Sequence, residues 1–197
     1  MQFELLMALV AFAFVSSITP GPNNLMLMSS GANFGFQRTI PHMLGVGLGF
    51  TLMVMLVGIG LIQLFDLYPV SYTILKIFSV LYLLYLAYKI ATATSPDSNS
   101  NNNATPITFI QAVLFQWVNP KAWTMALTAI SVYSPERSFE SIAIVAAIFG
   151  AINLPSVSVW TILGQQLRRL LSNSRQLRIF NVTMASLLLA SLYPLIG

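Results

Sequence analysis

The sequence predicts an all-α integral membrane protein with six transmembrane helices, arranged as two inverted repeats of three helices. Of its 197 residues, 56% are hydrophobic and only 7% are charged, whereas soluble domains carry about 25% charged residues. The mean hydropathy is +0.78, and several apolar runs approach the roughly 20 residues that a helix needs to cross a bilayer. A polar segment near the middle separates two halves of nearly equal length.

The first predicted helix covers residues 4–31 and is broken at 19–23. Pro20 and Pro22 have no N–H to donate, so each leaves the carbonyl four residues earlier without its helical partner. At membrane depth, such backbone is tolerated only where it is buried in protein or lines a wet cavity. The half-helix that begins near Asn23 directs its N-terminal N–H groups at the break. The break is therefore a suitable place for an anion such as a carboxylate.

The second predicted helix runs from 41 to 64, opens with Pro41 and follows a polar connection at 31–40. Gly45 and Gly49 are spaced four residues apart on this helix, which lets another backbone approach closely. This pair has two interpretations, namely tight helix packing or a thin wall beside a cavity.

A turn at 66–69 leads to the third predicted helix at 70–91. Residues 92–106 consist mainly of Asn, Ser and Thr, a composition typical of a flexible polar linker. The linker divides the chain into a first three-helix repeat at 1–91 and a second at 107–197.

The second half contains three further predicted helices, at 107–133, 138–167 and 179–196. Asn119-Pro120-Lys121 interrupts the first of them. Each half thus begins with a broken helix, and interruptions at corresponding positions of two halves point to a transporter binding site. Because three is an odd number, two halves that share a fold must insert with opposite orientations.

The distribution of basic residues predicts the orientation, because cytoplasmic loops carry an excess of Lys and Arg. The connections after helices one, three and five share one side of the membrane. Six of the nine basic residues lie near them: Arg38, Lys89, Arg168, Arg169, Arg175 and Arg178. This places the linker in the cytoplasm and both termini on the other side of the membrane.

Signatures of enzymes and metal sites are absent from the sequence, so we expect no catalytic residue, no metal ligand and no cofactor. The five carboxylates fall at helix ends or in loops, and the single histidine, His42, is interpreted as a headgroup-facing or capping residue. The net charge of +4 does not indicate nucleic-acid binding, because the basic residues cluster beside helix ends.

Seven polar residues lie at membrane depth, where unpaired polar groups are costly and commonly functional: Thr19, Asn23, Asn24, Gln116, Asn119, Lys121 and Asn153. Interhelical hydrogen bonding is the alternative role, but their placement at two breaks favours substrate binding. The predicted substrate-binding residues are Thr19, Pro20, Gly21, Pro22, Asn23, Asn24, Asn119, Pro120 and Lys121. Lys121 is interpreted as an interfacial lysine, as an attractor of a substrate carboxylate, or as a proton carrier.

Several motifs along the chain resemble the LysE/RhtB family of bacterial amino-acid exporters. They are Thr19-Pro-Gly-Pro-Asn-Asn24, Gly35-Phe36, Gly45-Val-Gly-Leu-Gly-Phe50, Tyr82-Leu-Leu-Tyr-Leu-Ala-Tyr-Lys89 and Phe115-Gln-Trp-Val-Asn-Pro-Lys-Ala122. The resemblance covers nearly the whole chain and is strongest to the cysteine/O-acetylserine exporter group. It implies export of amino acids or their derivatives from the cytoplasm, driven by the proton gradient. It also implies a multi-pass protein of the bacterial inner membrane, so that the two termini are expected in the periplasm.

One position departs from the lysine-exporting branch of that family, which carries an acidic residue where this chain has Phe50. No buried carboxylate is available to neutralise a cationic side chain, so the resemblance implies a small neutral substrate. It also leaves proton coupling without an obvious carboxylate carrier.

Together these observations predict a secondary transporter that exports cysteine/O-acetylserine-like or homoserine/threonine-like amino acids by alternating access. The substrate carboxylate is expected on the N–H groups near Asn23 and Asn24 with help from Lys121, and the amine on carbonyls that the prolines free. The expected partners are an amino acid and membrane lipid, and the glycine faces permit a homodimer without requiring one. A channel and a membrane assembly protein without transport are the alternatives.

Overall fold

The computed structural model describes residues 2–93, 105–136, 138–171, 173–191 and 193. The described residues form eight α-helices, here numbered in chain order. They are α1 (Phe3–Ile18), α2 (Pro22–Gly58), α3 (Leu61–Leu67), α4 (Val70–Ala91), α5 (Phe109–Val118), α6 (Pro120–Tyr133), α7 (Phe139–Leu170) and α8 (Ser174–Ala190). Most of the predicted linker at 92–106 lies outside the described residues, so the division into two repeats stays a prediction.

Three of these helices, α2, α4 and α7, are long and apolar enough to cross a membrane. Two shorter helices, α1 and α5, are also apolar. Many large hydrophobic side chains lie on the outer surface, among them Phe78, Leu81 and Ile162. An apolar exterior of this extent fits a lipid environment, since in soluble proteins contiguous exposed apolar patches of this kind are rare.

The connection predicted at 31–40 is wrong in its length, because α2 is helical on both sides of a single residue, Gly35. Gly35 has φ +78° and ψ 172°, a conformation that glycine adopts far more readily than residues with a Cβ atom. Ser30 and Thr39, on opposite sides of this glycine, share a hydrogen bond between their hydroxyls at 3.0 Å. The second segment of α2 therefore begins at residue 36, and Pro41 lies inside the helix rather than opening it.

The contacts of α2 with α7 show that the chain reverses direction at Gly35. Before this residue the two helices run in parallel, since Asn24 lies near Asn153 and Met28 lies against Gly164. After it they run antiparallel, because successive contacts pair Phe36 with Gln165, Gly47 with Leu154 and Gly58 with Ile142. The segments 22–34 and 36–58 thus form a helical hairpin around α7.

Gly45 and Gly49 pack directly against α5, which supports the packing interpretation of this pair. A side-chain carbon added at Gly45 would collide with the Phe109 carbonyl oxygen. One added at Gly49 would lie 2.9 Å from the Cα atom of Val113. The missing side chains therefore allow the backbones of α2 and α5 to come into contact.

The bounds of α4 agree with the prediction at 70–91. The second predicted helix, at 41–64, is wrong at its end, because α2 ends at Gly58 and a separate helix, α3, begins at Leu61 after Gly60, which has φ +110°. The turn predicted at 66–69 begins later than expected, because α3 extends to Leu67. The last predicted helix, at 179–196, instead begins at Ser174, where the Asn173 side chain accepts a hydrogen bond from the backbone N–H of Gln176 at 2.8 Å.

Two apolar clusters form the core, one on each side of the helix breaks. The first contains Met26, Leu27 and Phe115 together with residues of α4 and α8. The second contains Leu9 and Phe149 together with residues of α6. The nonhelical residues 19–21 and 119 lie between the clusters, so polar backbone is held at the junction of two packed regions.

Candidate functional site

The first break consists of Thr19, Pro20 and Gly21, between the last residue of α1 and the first of α2. Thr19 is extended, with φ −66° and ψ 147°, and its N–H still donates to the Val15 carbonyl. Pro22 occupies the first turn of α2, where its missing N–H costs nothing. The first backbone bond of α2 runs from Leu25 N to Gly21 O at 3.0 Å. The N–H groups ahead of Leu25, those of Asn23 and Asn24, are therefore left at the free end of the helix.

Each carbonyl freed by a proline accepts a hydrogen bond from elsewhere in the protein. The Ser16 carbonyl accepts from the Thr19 hydroxyl at 3.1 Å, and the Ile18 carbonyl accepts from the Trp160 indole N–H at 3.0 Å. The Gln116 carbonyl accepts from the Asn119 N–H at 3.3 Å. The sequence predicts that these carbonyls receive a substrate amine. In the structure, each of them already accepts a hydrogen bond from a protein donor.

The Asn24 side chain lies 3% exposed inside the first break and stabilises its geometry. Its amide nitrogen donates to the Ser17 carbonyl at 2.9 Å and to the Thr19 carbonyl at 2.7 Å. One amide thus ties the last turn of α1 to the first turn of α2, which keeps the helical Ser17 carbonyl and the extended Thr19 carbonyl paired at membrane depth.

The second break is a single residue, Asn119, which ends α5 and begins α6. Its side-chain oxygen accepts from the Lys121 N–H at 3.1 Å, and its carbonyl accepts from the Trp123 N–H at 3.2 Å. Pro120 is the first residue of α6, a position compatible with its missing N–H. The N-termini of α2 and α6 both open at the breaks, where their helix dipoles add partial positive charge.

Two sets of hydrogen bonds join the breaks. The amides of Asn23 and Gln116 exchange bonds of 2.8 and 3.1 Å. The Lys121 ammonium donates to the Thr19 carbonyl at 2.8 Å, to the Thr19 hydroxyl at 2.9 Å and to the Pro20 carbonyl at 3.3 Å. Lys121 therefore lies across the first break while its own backbone belongs to the second.

Gly21 leaves the space that the Lys121 side chain occupies. A carbon added at Gly21 would lie 2.7 Å from Lys121 Cδ and 3.1 Å from its Nζ. Gly21 has φ −177°, an extended conformation that any residue adopts, so this constraint comes from the lysine and not from the backbone.

Residues from both breaks line one cavity of about 20 Å³, which is room for about one water molecule. Its wall consists of Ser16, Ser17, Gly21, Asn23, Asn24, Phe50, Asn119, Lys121, Ala122, Met125, Asn153 and Val157. The wall combines amides, a lysine and two helix N-termini with an apolar side formed by Phe50, Met125 and Val157. This combination suits a small zwitterion that has an uncharged side chain.

Comparison with known proteins gives the family of this chain. Residues 14–191 match the family described as LysE type translocator. The chain belongs to the LysE family. It is accordingly a multi-pass membrane protein of a translocator family, and the resemblance carried by the sequence motifs is confirmed.

Curated relatives of this LysE-family chain are similar along nearly their whole length. The cysteine/O-acetylserine efflux protein of Escherichia coli O139:H28 (strain E24377A / ETEC) is 31% identical over 94% of this chain and 94% of its own. Proteins of the same name from Escherichia coli (strain K12) and Shigella flexneri are each 31% identical over 93% of both chains. No solved structure matches the chain.

Of the nine predicted site residues, Gly21, Asn23, Asn24, Asn119 and Lys121 line the cavity of this LysE-family protein. The others, Thr19, Pro20, Pro22 and Pro120, shape the breaks without lining it. Sequence reasoning did not include Ser16, Ser17, Ala122, Met125 or Val157 in the site, because nothing distinguishes them from ordinary residues of a membrane helix. Asn153 was recognised as polar at membrane depth, which was the available signal for its place in the cavity.

The interpretation of His42 as a headgroup-facing or capping residue is wrong. Its side chain is 0% exposed and lies within the second segment of α2. Within the described part of the chain, neither ring nitrogen has a hydrogen-bond partner. The misassignment follows from the late predicted start of this helix, which placed His42 at a helix end instead of inside the bundle.

Proposed function

We propose that this protein is a secondary transporter that exports small neutral amino acids or their derivatives from the cytoplasm. The observation that carries the proposal is the single cavity between two broken helices, lined by residues from both. Relatives named as cysteine/O-acetylserine efflux proteins support the substrate class. Cysteine/O-acetylserine-like compounds are therefore the first candidates, and homoserine/threonine-like compounds the second.

The proposed architecture has six spans in two inverted repeats. In this arrangement α1 and residues 22–34 form one broken span, residues 36–58 form the second, and α5 with α6 forms the fourth. Hydrogen bonds between the two broken spans support an inverted relation, because Tyr133 pairs with Ala8, Lys121 with Thr19, and Gln116 with Asn23. The partner numbers fall as the others rise, so the two broken spans run antiparallel.

The proposed site holds the substrate carboxylate at the N-termini of α2 and α6, near the N–H groups of Asn23 and Asn24. Helix N-termini stabilise anions through free N–H groups and the helix dipole. Lys121 contributes positive charge at the same place. The neutral side chain of the substrate lies against Phe50, a position without a carboxylate to balance a cationic side chain.

Transport requires that the cavity enlarge, because ligand sites commonly measure about 300 Å³ or more. We propose that the two broken spans separate alternately towards each side of the membrane. The bonds from Lys121 to Thr19 and between Asn23 and Gln116 close the site in the present conformation. Lys121 is also the proposed proton carrier. When its ammonium loses a proton, the neutral amine no longer brings a positive charge to the carbonyls of the first break.

An efflux assay tests the proposed function. Cells that overexpress the chain are loaded with dipeptides, and each amino acid appearing in the medium is compared with an empty-vector control. We expect selective release of a neutral species such as cysteine or a serine derivative, increasing with the imposed proton gradient. Equal release of every amino acid by both strains would remove amino-acid export from consideration.

The proposed orientation has the linker in the cytoplasm and both termini in the periplasm. Reporters fused to the C-terminus test it, one active only in the cytoplasm and one active only in the periplasm. We expect activity from the periplasmic reporter alone. Activity from the cytoplasmic reporter alone contradicts either the span count or the orientation.

A further inference from the structure

Asn153 of α7 lines the cavity and carries a buried side-chain oxygen, Oδ1, that has no hydrogen-bond partner among the described residues. The residue is 5% exposed, and its side-chain nitrogen donates to the Ser17 hydroxyl oxygen at 3.2 Å. A buried acceptor that is left unpaired has lost its hydrogen bonds to water without replacing them, which destabilises the protein. Such an atom in the wall of a cavity is a candidate contact for a ligand.

The other buried unpaired side-chain atoms in the described part of the chain belong to His42. His42 does not line the cavity, whereas Asn153 does. The carbonyls freed by Pro20, Pro22 and Pro120 already accept bonds from Thr19, Trp160 and Asn119. Each of these carbonyls therefore already accepts a protein donor, whereas the Asn153 side-chain oxygen accepts none among the described residues.

The hydrogen-bond donor for the Asn153 side-chain oxygen has to come from the transported molecule. The N-termini of α2 and α6 and the Lys121 ammonium give the cavity a positive character, which suits a carboxylate. An α-amino acid carries its carboxylate and its ammonium group on the same carbon, Cα. Asn153, in the wall of the same small cavity, supplies an oxygen that suits the ammonium group.

We propose that the side-chain oxygen of Asn153 accepts a hydrogen bond from the α-ammonium group of the exported amino acid. This inference rests on the proposed function, since it assigns one substrate contact within that site. It makes Asn153 a determinant of specificity for primary amines over analogues that have only a carboxylate. A hydrogen bond to a charged group contributes about 1.5–3 kcal/mol, and every 1.4 kcal/mol corresponds to about a tenfold change in affinity.

The test compares three related thiols on the full chain reconstituted in proteoliposomes. L-Cysteine carries both charged groups, 3-mercaptopropionate lacks the ammonium group, and cysteamine lacks the carboxylate. Counterflow of labelled L-cysteine under reducing conditions is measured with each unlabelled compound as competitor. For the wild-type protein we expect L-cysteine to compete about tenfold or more better than either analogue.

Asn153→Leu has similar size and no acceptor. We expect it to weaken L-cysteine competition about tenfold or more, while competition by 3-mercaptopropionate stays unchanged. Asn153→Asp keeps an acceptor oxygen and is expected to retain the preference for L-cysteine over 3-mercaptopropionate. Ser156→Ala on the same helix is the control, because Ser156 is buried and does not line the cavity.

Each outcome bears on the proposal. Equal weakening of L-cysteine and 3-mercaptopropionate by Asn153→Leu indicates a structural role and overturns the inference, as does an unchanged preference. If Asn153→Leu no longer discriminates against cysteamine, the Asn153 amide binds the substrate carboxylate instead, which also overturns the inference. Loss of the preference for L-cysteine in Asn153→Asp overturns it as well. Absence of counterflow with any neutral amino acid in the wild-type protein contradicts the proposed function itself.

Discussion

The side-chain amides of Asn23 and Gln116 hydrogen-bond each other in both directions, at 2.8 and 3.1 Å, across 93 positions of sequence. Asn23 stands in the first turn of α2, beside the first break, and Gln116 stands in the last turn of α5, beside the second. A reciprocal amide pair satisfies both groups and fixes the distance between the two helices. It therefore joins the broken helices at the cavity that both of them line.

A double-mutant cycle tests this amide pair. Asn23→Leu leaves the fully buried Gln116 amide without its partner, at an expected cost of about 1–3 kcal/mol. Asn23→Leu with Gln116→Leu removes both polar groups, so we expect less destabilisation than the sum of the single changes. The measurement is thermal unfolding of the detergent-solubilised protein. Purely additive effects contradict a direct pairing of the two amides.

Removal of the Lys121 ammonium tests the connection between the breaks. We expect Lys121→Ala to lower efflux by about tenfold or more while the protein remains in the membrane. The change removes the positive charge from the proposed anion site and the lysine bonds that close the site. Efflux and membrane abundance are measured together. Lys76→Ala is the control, since Lys76 is exposed on α4. Wild-type efflux from Lys121→Ala removes this lysine from the proposed mechanism.

Gly21→Ala tests whether the Lys121 side chain needs the space that the missing side chain of Gly21 leaves. The added carbon would lie 2.7 Å from Lys121 Cδ, so the lysine has to leave its bonds with Thr19 and Pro20. We expect efflux to fall towards the level of Lys121→Ala. In the background of Lys121→Ala, the same change should have little further effect, because the two residues act on one contact. Independent, multiplicative losses in the double variant contradict this explanation.

Phe50→Leu tests the apolar wall of the cavity. Phe50 is 2% exposed, lines the cavity and packs edge-on against Phe149 at a ring-centroid distance of 5.4 Å. A smaller side chain at this position is expected to extend efflux to larger neutral amino acids, measured as the relative rates for cysteine and methionine. Phe149→Leu is the matched control, because it alters the same contact without lining the cavity. The same change in specificity from both variants contradicts the assignment of Phe50.

His42→Leu tests the unpaired histidine inside α2. Leucine has a similar size and replaces two buried ring nitrogens that lack partners among the described residues. We expect the free energy of unfolding to rise by about 1 kcal/mol or more, seen as a higher midpoint of thermal unfolding in detergent. Met43→Leu provides a control for volume-conserving change at the adjacent buried position. A lower midpoint for His42→Leu contradicts the expected gain.

Local chemistry explains why much of the fold could be predicted. Hydropathy identified a membrane protein, and the bounds of α4 agree with the prediction at 70–91. The breaks could be placed because Pro20, Gly21 and Pro22 stand close together and Pro120 follows Asn119 at the corresponding place in the second half, whereas the single residues Pro41 and Pro155 lie inside continuous helices. The reversal between the first two predicted helices was expected in a polar connection at 31–40, but the length of this connection was wrong, since the single residue Gly35 makes the reversal.

The sequence by itself determined the membrane class, the family motifs and the two positions at which helices break. Only the tertiary structure decided which groups meet at those breaks. Trp160 reaches the Ile18 carbonyl across 142 positions, and Lys121 reaches Thr19 across 102. A proline frees a carbonyl within its own turn, which local sequence reveals, but the indole donor that satisfies the Ile18 carbonyl comes from another helix, α7. For the same reason, the unpaired oxygen of Asn153 could be recognised only after every neighbouring group had been placed.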